Sequence, residues 1–217
     1  MADFAALRRL MLESQIKTNK VTDGRVHQAL LAVPREDFVP EALKSVAYVD
    51  EDLNIGGGRY LVEPRVFARM LQEAAINPGD TVLDLGAGSG YTAAVLAHLA
   101  GKVVALEAEA GLADKAKAAI AALGLGNVTV VVGDMARGHA AAAPYDVVLI
   151  EASVPEVPAA LFAQLAEGGR LIAVLRDGPI GVATLYTKVG GIVGRRPLFD
   201  AATPALPGFA RPAAFVF

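Results

Sequence analysis

The chain has 217 residues, a formal net charge of −3, a hydrophobic content of 54% and no cysteine. This composition allows one large core and excludes disulfides and thiolate metal sites, and the three histidines have no metal-ligand spacing. A slightly acidic chain is not typical of general nucleic-acid binders, so no nucleic-acid partner is predicted. No apolar run reaches the roughly 18 to 20 residues of a membrane span, and the charged N-terminus lacks the apolar centre of a signal peptide. We therefore predict a cytoplasmic protein without a membrane partner.

Residues 1–66 are predicted to form a helical region that ends in an irregular, substrate-binding segment. Apolar residues recur at helical spacing in FAALRRLMLESQI. A second helix, GRVHQALLAV, is predicted to follow a Thr22 or Asp23 cap and to end before Pro34. The segment DLNIGGGRYLVEP comes next, and its three consecutive glycines allow backbone conformations that other residues avoid. A third helix is predicted after Pro64, because proline is tolerated in a first helical turn.

Residues 67–217 are predicted to form the main domain, in one compact unit with the region before it. Five strands are predicted at TVLDLG, KVVALE, NVTVVVGD, YDVVLIEA and RLIAVL, and the helices between them at YTAAVLAHLA, AGLADKAKAAIAALG and PAALFAQLAEGG. VATLYTKVGG and AAFVF are predicted later strands, and DAATPALPGFARP is predicted to be irregular. Apolar strands that alternate with helices indicate a mostly parallel sheet covered on both faces. The predicted fold class is therefore a doubly wound α/β domain.

The end of the first predicted strand carries an acid and a glycine-rich turn. In VLDLGAGSGYTAAVLA, Asp84 stands near the strand end. The turn after it consists of Gly86, Ala87, Gly88, Ser89 and Gly90. Doubly wound sheets bind ligands outside the carboxyl ends of their strands, and glycines let the backbone approach the ligand. Because this spacing is tighter than the dinucleotide pattern and follows an acid, it suits a ligand with a cationic amino-acid end rather than a pyrophosphate.

Two further acids end the next two predicted strands. Glu107 lies where a carboxylate accepts hydrogen bonds from both hydroxyls of a ribose. Asp134, followed by Met135, ends the third strand near where an adenine ring would lie. A ligand with amino, hydroxyl and sulfonium groups uses all three acids, which predicts S-adenosylmethionine as the cofactor. The alternative interpretation is that these glycines and acids are only turn and capping residues of an α/β fold.

Together these stretches resemble the protein-L-isoaspartate O-methyltransferase family over nearly the whole chain. RVHQALLAVPREDFVP is similar to its N-terminal signature, AYVDEDLNIGGG to its A-Y-x-D-x-x-L-x-I-G-x-G segment and LDLGAGSGYTAAVLA to its cofactor turn. APYDVVLIEASVPEVPAALFAQLAEGGRLIAVL is similar to its fourth and fifth strands. The resemblance implies a Rossmann-like, seven-stranded methyltransferase sheet with an N-terminal helical extension. It also implies protein repair, in which S-adenosylmethionine methylates the carboxylate of L-isoaspartyl or D-aspartyl residues in a protein or peptide.

The segment after the glycines departs from the family pattern. The family usually has Q-T-I-S-x-P here, and the resemblance implies that the threonine and serine hydroxyls lie in the active site, with the serine essential. Tyr60 stands at the threonine position, and Val62, which has no hydroxyl, stands at the serine position. Both are retained as candidate catalytic positions. The candidate substrate contacts in the same segment are Gly57, Gly58, Arg59 and Glu63.

Two residues of the predicted site, Arg59 and Glu151, have more than one interpretation. Arg59 suits bidentate recognition of a carboxylate or phosphate, or alternatively faces solvent. Glu151 ends the fourth strand, where the family has a small or hydroxyl residue, and is either a catalytic base or substrate contact or a surface acid. Glu63 would repel a carboxylate substrate if it pointed inward. Three functions stay open: the isoaspartyl methyltransferase, a related enzyme with another acceptor, and a catalytically silent S-adenosylmethionine-binding protein.

Overall fold

The described chain contains a small antiparallel hairpin and a large sheet. The computed structural model describes residues 3–176 and 178–209. The hairpin consists of β1 (Leu53–Gly56) and β2 (Arg59–Leu61). The strands of the large sheet are β3 (Thr81–Leu85), β4 (Lys102–Glu107), β5 (Val128–Val132), β6 (Tyr145–Val154), β7 (Leu165–Leu175), β8 (Gly181–Val189) and β9 (Ile192–Ala201).

The strand order of the large sheet determines where a ligand can bind. The seven strands lie in the order β5-β4-β3-β6-β7-β8-β9. Strands β3 to β7 pair in parallel, whereas the pairs β7–β8 and β8–β9 are antiparallel. The chain adds β4 and β5 on one side of β3 and then adds β6 on the other side, so the order reverses between β3 and β6. Ligand sites of doubly wound sheets lie at such a reversal. The predicted Rossmann-like, mostly parallel, seven-stranded fold is confirmed.

In the part of the chain that the structure describes, three α-helices precede the first strand of the large sheet and three lie between its strands. They are α1 (Phe4–Met11), α2 (Gly24–Ala32), α3 (Pro64–Ala74), α4 (Tyr91–Ala97), α5 (Ala110–Ala122) and α6 (Ala159–Ala163). The predicted cap of α2 is Asp23, whose side chain accepts a hydrogen bond from the backbone N–H of Arg25 at 2.8 Å. Among the described residues, no helix has the length and apolar character that a membrane crossing requires.

Alternate residues of β3 pack against opposite faces of the sheet. Val82 belongs to the core formed with the N-terminal helices, α3 and α4, whereas Leu83 and Leu85 belong to the core that contains α6. Successive side chains of a strand point to opposite faces, so Asp84 lies on the same face as Val82. The N-terminal helices therefore help to bury the acid predicted to hold the cofactor.

One predicted helix is shorter than expected. The helix predicted over PAALFAQLAEGG ends at Ala163, and strand pairing starts at Leu165, which lies opposite Tyr145. Gly168 has φ 75°, a conformation that does not continue a right-handed helix. The prediction was therefore wrong for the second half of this segment.

The hairpin and β9 were not predicted as strands. β9 forms the outer edge of the sheet and contains the sequence Gly194-Arg195-Arg196-Pro197. Its backbone is nevertheless paired with β8 along most of its length. The next segment is irregular, as predicted, apart from one bridge between Ala205 and Ser153. The strand predicted at AAFVF lies outside the described residues.

Candidate active site

The glycine turn between β3 and α4 lies directly beneath two other segments. Gly86 and Gly88 have φ angles of 86° and 53°, in the left-handed region that favours glycine. A Cβ atom at Gly86 would lie 2.9 Å from the Cδ1 of Leu206, and one at Gly88 would lie 2.7 Å from the Cδ1 of Ile55. The hairpin and the segment around Leu206 thus cover the surface on which a cofactor is predicted to lie.

The other residues of the turn fix its position. The Ser89 hydroxyl donates a hydrogen bond to the carbonyl of Phe38 at 2.6 Å, and Ala87 is buried. Gly90 (φ 95°) packs so closely against α5 that an added Cβ would lie 3.0 Å from the Cα of Ala116. These contacts hold the start of α4, with its unpaired N–H groups, at the end of β3.

Asp84 is fully buried at the end of β3, and neither carboxyl oxygen has a hydrogen-bond partner among the described residues. Burial, with a smaller contribution from the charge of Glu107, raises the pKa of Asp84 to about 8. A buried carboxyl group without a partner is costly unless a ligand supplies donors. An ammonium group is such a donor, so this orphaned acid fits the amino-acid end of S-adenosylmethionine.

The raised pKa of Asp84 makes the stability of the fold depend on pH. An unfolded aspartate has a pKa of about 4, so between about pH 4 and pH 8 the folded chain holds a proton that the unfolded chain has lost. Asp84 therefore lowers the free energy of unfolding as pH rises through this window, by up to about 1.4 kcal/mol per pH unit. We expect Asp84→Asn to remove this pH-dependent loss. The free energy of unfolding of the variant should therefore rise relative to that of the parent protein as the pH is raised from 4 to 8.

Urea unfolding at several pH values measures this effect. The matched control is Asp114→Asn, which alters a carboxylate whose side chain is 73% exposed in an ion pair with Lys117. Parallel stability curves for Asp84→Asn and the parent protein would show that Asp84 is already ionised in the folded chain.

Glu107, at the end of β4, binds a buried arginine. The Nη2 of Arg59 lies 2.8 Å from Oε1, and its Nε lies 3.1 Å from Oε2. The backbone N–H of Gly88 donates to Oε2 at 2.9 Å, and those of Ala108 and Glu109 donate to Oε1 at 2.8 and 2.9 Å. A carboxylate offers about four acceptor positions. A ribose can therefore bind this carboxylate only after Arg59 has moved away.

The arginine is itself enclosed. Arg59 is 5% exposed, and its Nη1 has no hydrogen-bond partner among the described residues. Its Nη2 lies 3.7 Å from the sulfur of Met135, which is 2% exposed. The interpretation of Arg59 as a solvent-facing residue is therefore wrong.

The acid at the end of β5 is more open. Asp134 accepts a hydrogen bond from the N–H of Ala136 at 3.0 Å, and its carboxylate lies 3.3 Å from the Nε of Arg137. The side chain of Asp134 is 57% exposed. Asp134 therefore caps the turn that follows it, and Met135 contacts the buried part of the site.

The three candidate catalytic positions come together. A cavity of about 10 Å³ is lined by Tyr60, Val62 and Glu151, together with Arg59 and Leu206. This volume holds about one water molecule, whereas ligand sites usually enclose about 300–1,000 Å³. Neither the cofactor nor an acceptor fits until Arg59 and Leu206 are displaced.

Glu151 contributes a half-buried acid to this cavity. Its Oε1 is buried without a hydrogen-bond partner in the described chain. Burial first, and then the neighbouring Asp84 carboxyl, raises the pKa of Glu151 well above its ordinary value, and the charge of Arg35 opposes this shift. Glu151 is therefore half-buried at this cavity and not a fully exposed surface acid.

The remaining candidate substrate residues shape the hairpin. Cβ atoms at Gly57 and Gly58 would lie 3.0 Å from the Cδ1 of Leu112 and 3.3 Å from the Cγ of Pro207. The carboxylate of Glu63 pairs with the Nη2 of Arg65 at 3.0 Å. The charge of Glu63 is thus balanced by a neighbouring arginine.

Arg35 is a site residue that the sequence did not reveal. It is 1% exposed, and it donates hydrogen bonds to the carbonyl of Ala47 at 2.8 Å and to that of Val62 at 2.9 Å. Its guanidinium carbon lies 4.9 Å from the centre of the Tyr91 ring. The only signal was its place in the V-P-R stretch of the N-terminal signature. Nothing in the sequence indicated that Ile55 and Leu206 cover the glycine turn.

Comparison with known proteins identifies relatives over most of the chain. The family model described as protein-L-isoaspartate(D-aspartate) O-methyltransferase matches residues 7–192. Protein-L-isoaspartate O-methyltransferase 1 of Rhodopseudomonas palustris (strain HaA2) is 48% identical over 169 residues, which are 78% of this chain and 69% of the relative. The protein-L-isoaspartate O-methyltransferase of Koribacter versatilis (strain Ellin345) is 39% identical over 200 residues, 92% of this chain and 90% of the relative.

Solved structures show the same fold. A protein-L-isoaspartate O-methyltransferase structure superposes with a TM-score of 0.81 and 28% identity, over 94% of this chain and 66% of that chain. A Plasmodium falciparum protein in complex with S-adenosyl-L-homocysteine superposes with a TM-score of 0.80 and 22% identity, over 96% of this chain and 100% of that chain.

Proposed function

We propose a function from one premise: the chain belongs to the protein-L-isoaspartate(D-aspartate) O-methyltransferase family. It is an S-adenosylmethionine-dependent methyltransferase. Its acceptor is the carboxylate of L-isoaspartyl or D-aspartyl residues in damaged proteins and peptides, and the product is a methyl ester. The observation that carries this function is the family match over residues 7–192.

The chemical groups of the site residues match those of the cofactor. Asp84 supplies an unpartnered carboxyl group for its ammonium group, and the glycine turn supplies a backbone surface without side chains. Glu107 would hold the ribose after Arg59 has left, and Asp134 and Met135 would lie beside the adenine. When bound, the cofactor supplies a methyl group that its sulfonium makes electrophilic. The residues of the chain then contribute mainly by positioning the two reactants.

Enclosure is the second contribution of the chain. Ile55 lies beside the glycine turn, and both Ile55 and Val62 are 5% exposed. Apolar side chains around the reacting atoms exclude water and strengthen the electrostatic interactions that orient a carboxylate. Tyr60 of the hairpin also lines the cavity and is 37% exposed, so it is accessible to a peptide acceptor from solvent.

A methyl-transfer assay with an isoaspartyl peptide tests the function directly. We expect methyl ester formation on the isoaspartyl peptide and none on the peptide that contains normal aspartate at the same position. The control measures calorimetric binding of S-adenosyl-L-homocysteine to the same protein. Binding of this product without methylation of either peptide would show that the acceptor is a different one.

A cytoplasmic location belongs to the same proposal. The absence of cysteine from all 217 residues supports it, because proteins of oxidising compartments often carry disulfides.

A further inference from the structure

We infer that Glu151, as an undissociated carboxyl group, donates a hydrogen bond to one oxygen of the acceptor carboxylate and thereby positions the other oxygen for methylation. In this role Glu151 replaces the hydroxyl that is missing at Val62. This inference rests on the proposed function, since it requires a carboxylate acceptor.

The first support is the shared cavity. Glu151 lines it from near the end of β6, where pairing with β7 is irregular, and Val62 lines it from the segment after β2. Val62 offers no hydrogen-bond donor from its side chain, and its carbonyl already accepts a hydrogen bond from Arg35 at 2.9 Å. Glu151 Oε1, by contrast, is buried and has no partner in the described chain. An acceptor carboxylate in this cavity would supply that partner.

The second support is the charge around Glu151. The titratable and charged groups that face it come from β3, β4, the hairpin, α4 and the segment before the hairpin: Asp84, Glu107, Arg59, Tyr60, Tyr91 and Arg35. The charge of Arg59 is balanced by Glu107, and Arg35 is engaged by two carbonyls and an aromatic ring. Burial and the nearby Asp84 carboxyl keep the pKa of Glu151 raised, which favours the protonated form. A protonated carboxyl group is a donor and does not repel an anionic acceptor.

The reaction needs no proton from Glu151. The free oxygen of the acceptor carboxylate forms an O–CH₃ bond while the S–CH₃ bond breaks, and the electron pair of that bond stays on sulfur. Glu151 keeps its proton and acts only as a hydrogen-bond donor. If Glu151 loses its proton, the donor is lost and a second negative charge faces the acceptor.

Substitutions at Glu151 and Val62 test this role on an isoaspartyl peptide. We expect Glu151→Ala to lower kcat/KM about 10- to 100-fold, the range for a hydrogen bond to a charged group. We expect kcat/KM of the parent protein to fall at alkaline pH as Glu151 ionises. Glu151→Gln retains a donor in its amide, so it should keep most of the activity and should not show this fall. Adding Val62→Ser to Glu151→Ala should restore activity, because a hydroxyl again lines the cavity. The control is Glu41→Gln, whose side chain is 87% exposed.

A second measurement does not depend on turnover. With ¹³C-labelled glutamate, the carboxyl resonance that disappears in Glu151→Gln should titrate above the ordinary range of a glutamate carboxyl group. Fluorescence anisotropy should show weaker binding of a labelled isoaspartyl peptide to Glu151→Ala than to the parent protein.

The outcomes separate the inference from the proposed function. Unchanged kcat/KM in Glu151→Ala, an alkaline fall that persists in Glu151→Gln, or an ordinary titration of Glu151 would overturn the inference while methylation itself continued. A parent protein that binds the isoaspartyl peptide through Glu151 but does not methylate it would refute the function alone. If the peptide does not bind at all, both are wrong.

Discussion

Replacing Arg59 by glutamine is expected to tighten the binding of S-adenosylmethionine by about 10- to 100-fold. The guanidinium of Arg59 holds the Glu107 carboxylate through two nitrogens at 2.8 and 3.1 Å. In the proposed site a ribose would have to break this pair before it could bind Glu107. A hydrogen bond to a charged group contributes about 1.5–3 kcal/mol. Any free energy that holds the site closed is subtracted from the apparent binding free energy. Glu107 keeps its three backbone donors in the variant, so the carboxylate stays in place for the ribose.

Calorimetric titration with S-adenosylmethionine measures this effect. Arg196→Gln is the matched control, because it removes an arginine that pairs with Glu73 at 3.3 Å and whose side chain is 63% exposed. That change should leave the affinity unaltered. Weaker binding by Arg59→Gln would show that the arginine contacts the cofactor instead of competing with it.

Replacing Glu107 by alanine is expected to lower both stability and cofactor affinity. The change leaves Arg59 buried without its partner and leaves the N–H groups of Gly88, Ala108 and Glu109 without this acceptor. Removing one partner of a buried ion pair costs about 3–5 kcal/mol of the free energy of unfolding. The lost ribose hydrogen bonds should weaken cofactor binding by about 1–3 kcal/mol. Urea unfolding and calorimetry measure the two effects separately.

A double variant and a surface pair provide the controls for Glu107. Arg59→Gln with Glu107→Gln should recover part of the stability, because neither charge then remains buried alone. Glu73→Ala removes the acid of the surface pair with Arg196 and should change stability by less than about 1 kcal/mol. A loss as small as this in Glu107→Ala would mean that the Arg59 pair adds nothing to the fold.

The sheet and the strand-end acids were predictable because they depend on local patterns. Apolar strands that alternate with helices specify a parallel sheet, and the order of the chain brings the ends of β3, β4 and β6 together. The acids predicted at the first two of these ends, Asp84 and Glu107, are fully buried side chains of the site. Their spacing in the sequence was sufficient because a strand end is a fixed place in this fold.

The contacts that close the site were not predictable from the sequence. Arg59 reaches Glu107 across 48 positions of the chain, and Leu206 covers Gly86 across an even longer separation. No periodic pattern records such contacts, because they depend on how the hairpin and the later segment fold onto the sheet. The environment of Glu151 was hidden for the same reason, since Arg59 and Leu206 line the cavity to which Glu151 contributes its buried Oε1.

The charged and proline-containing sequence of β9, which prevented its prediction as a strand, also protects the edge of the sheet. An outermost strand presents unpaired N–H and C=O groups to which a foreign chain can add and start aggregation. In β9 Arg195 and Arg196 are exposed, and Pro197 has no N–H to offer. These charges and the proline make the edge strand a poor template for pairing with another chain. The residues that made β9 hard to predict therefore also oppose aggregation through this edge.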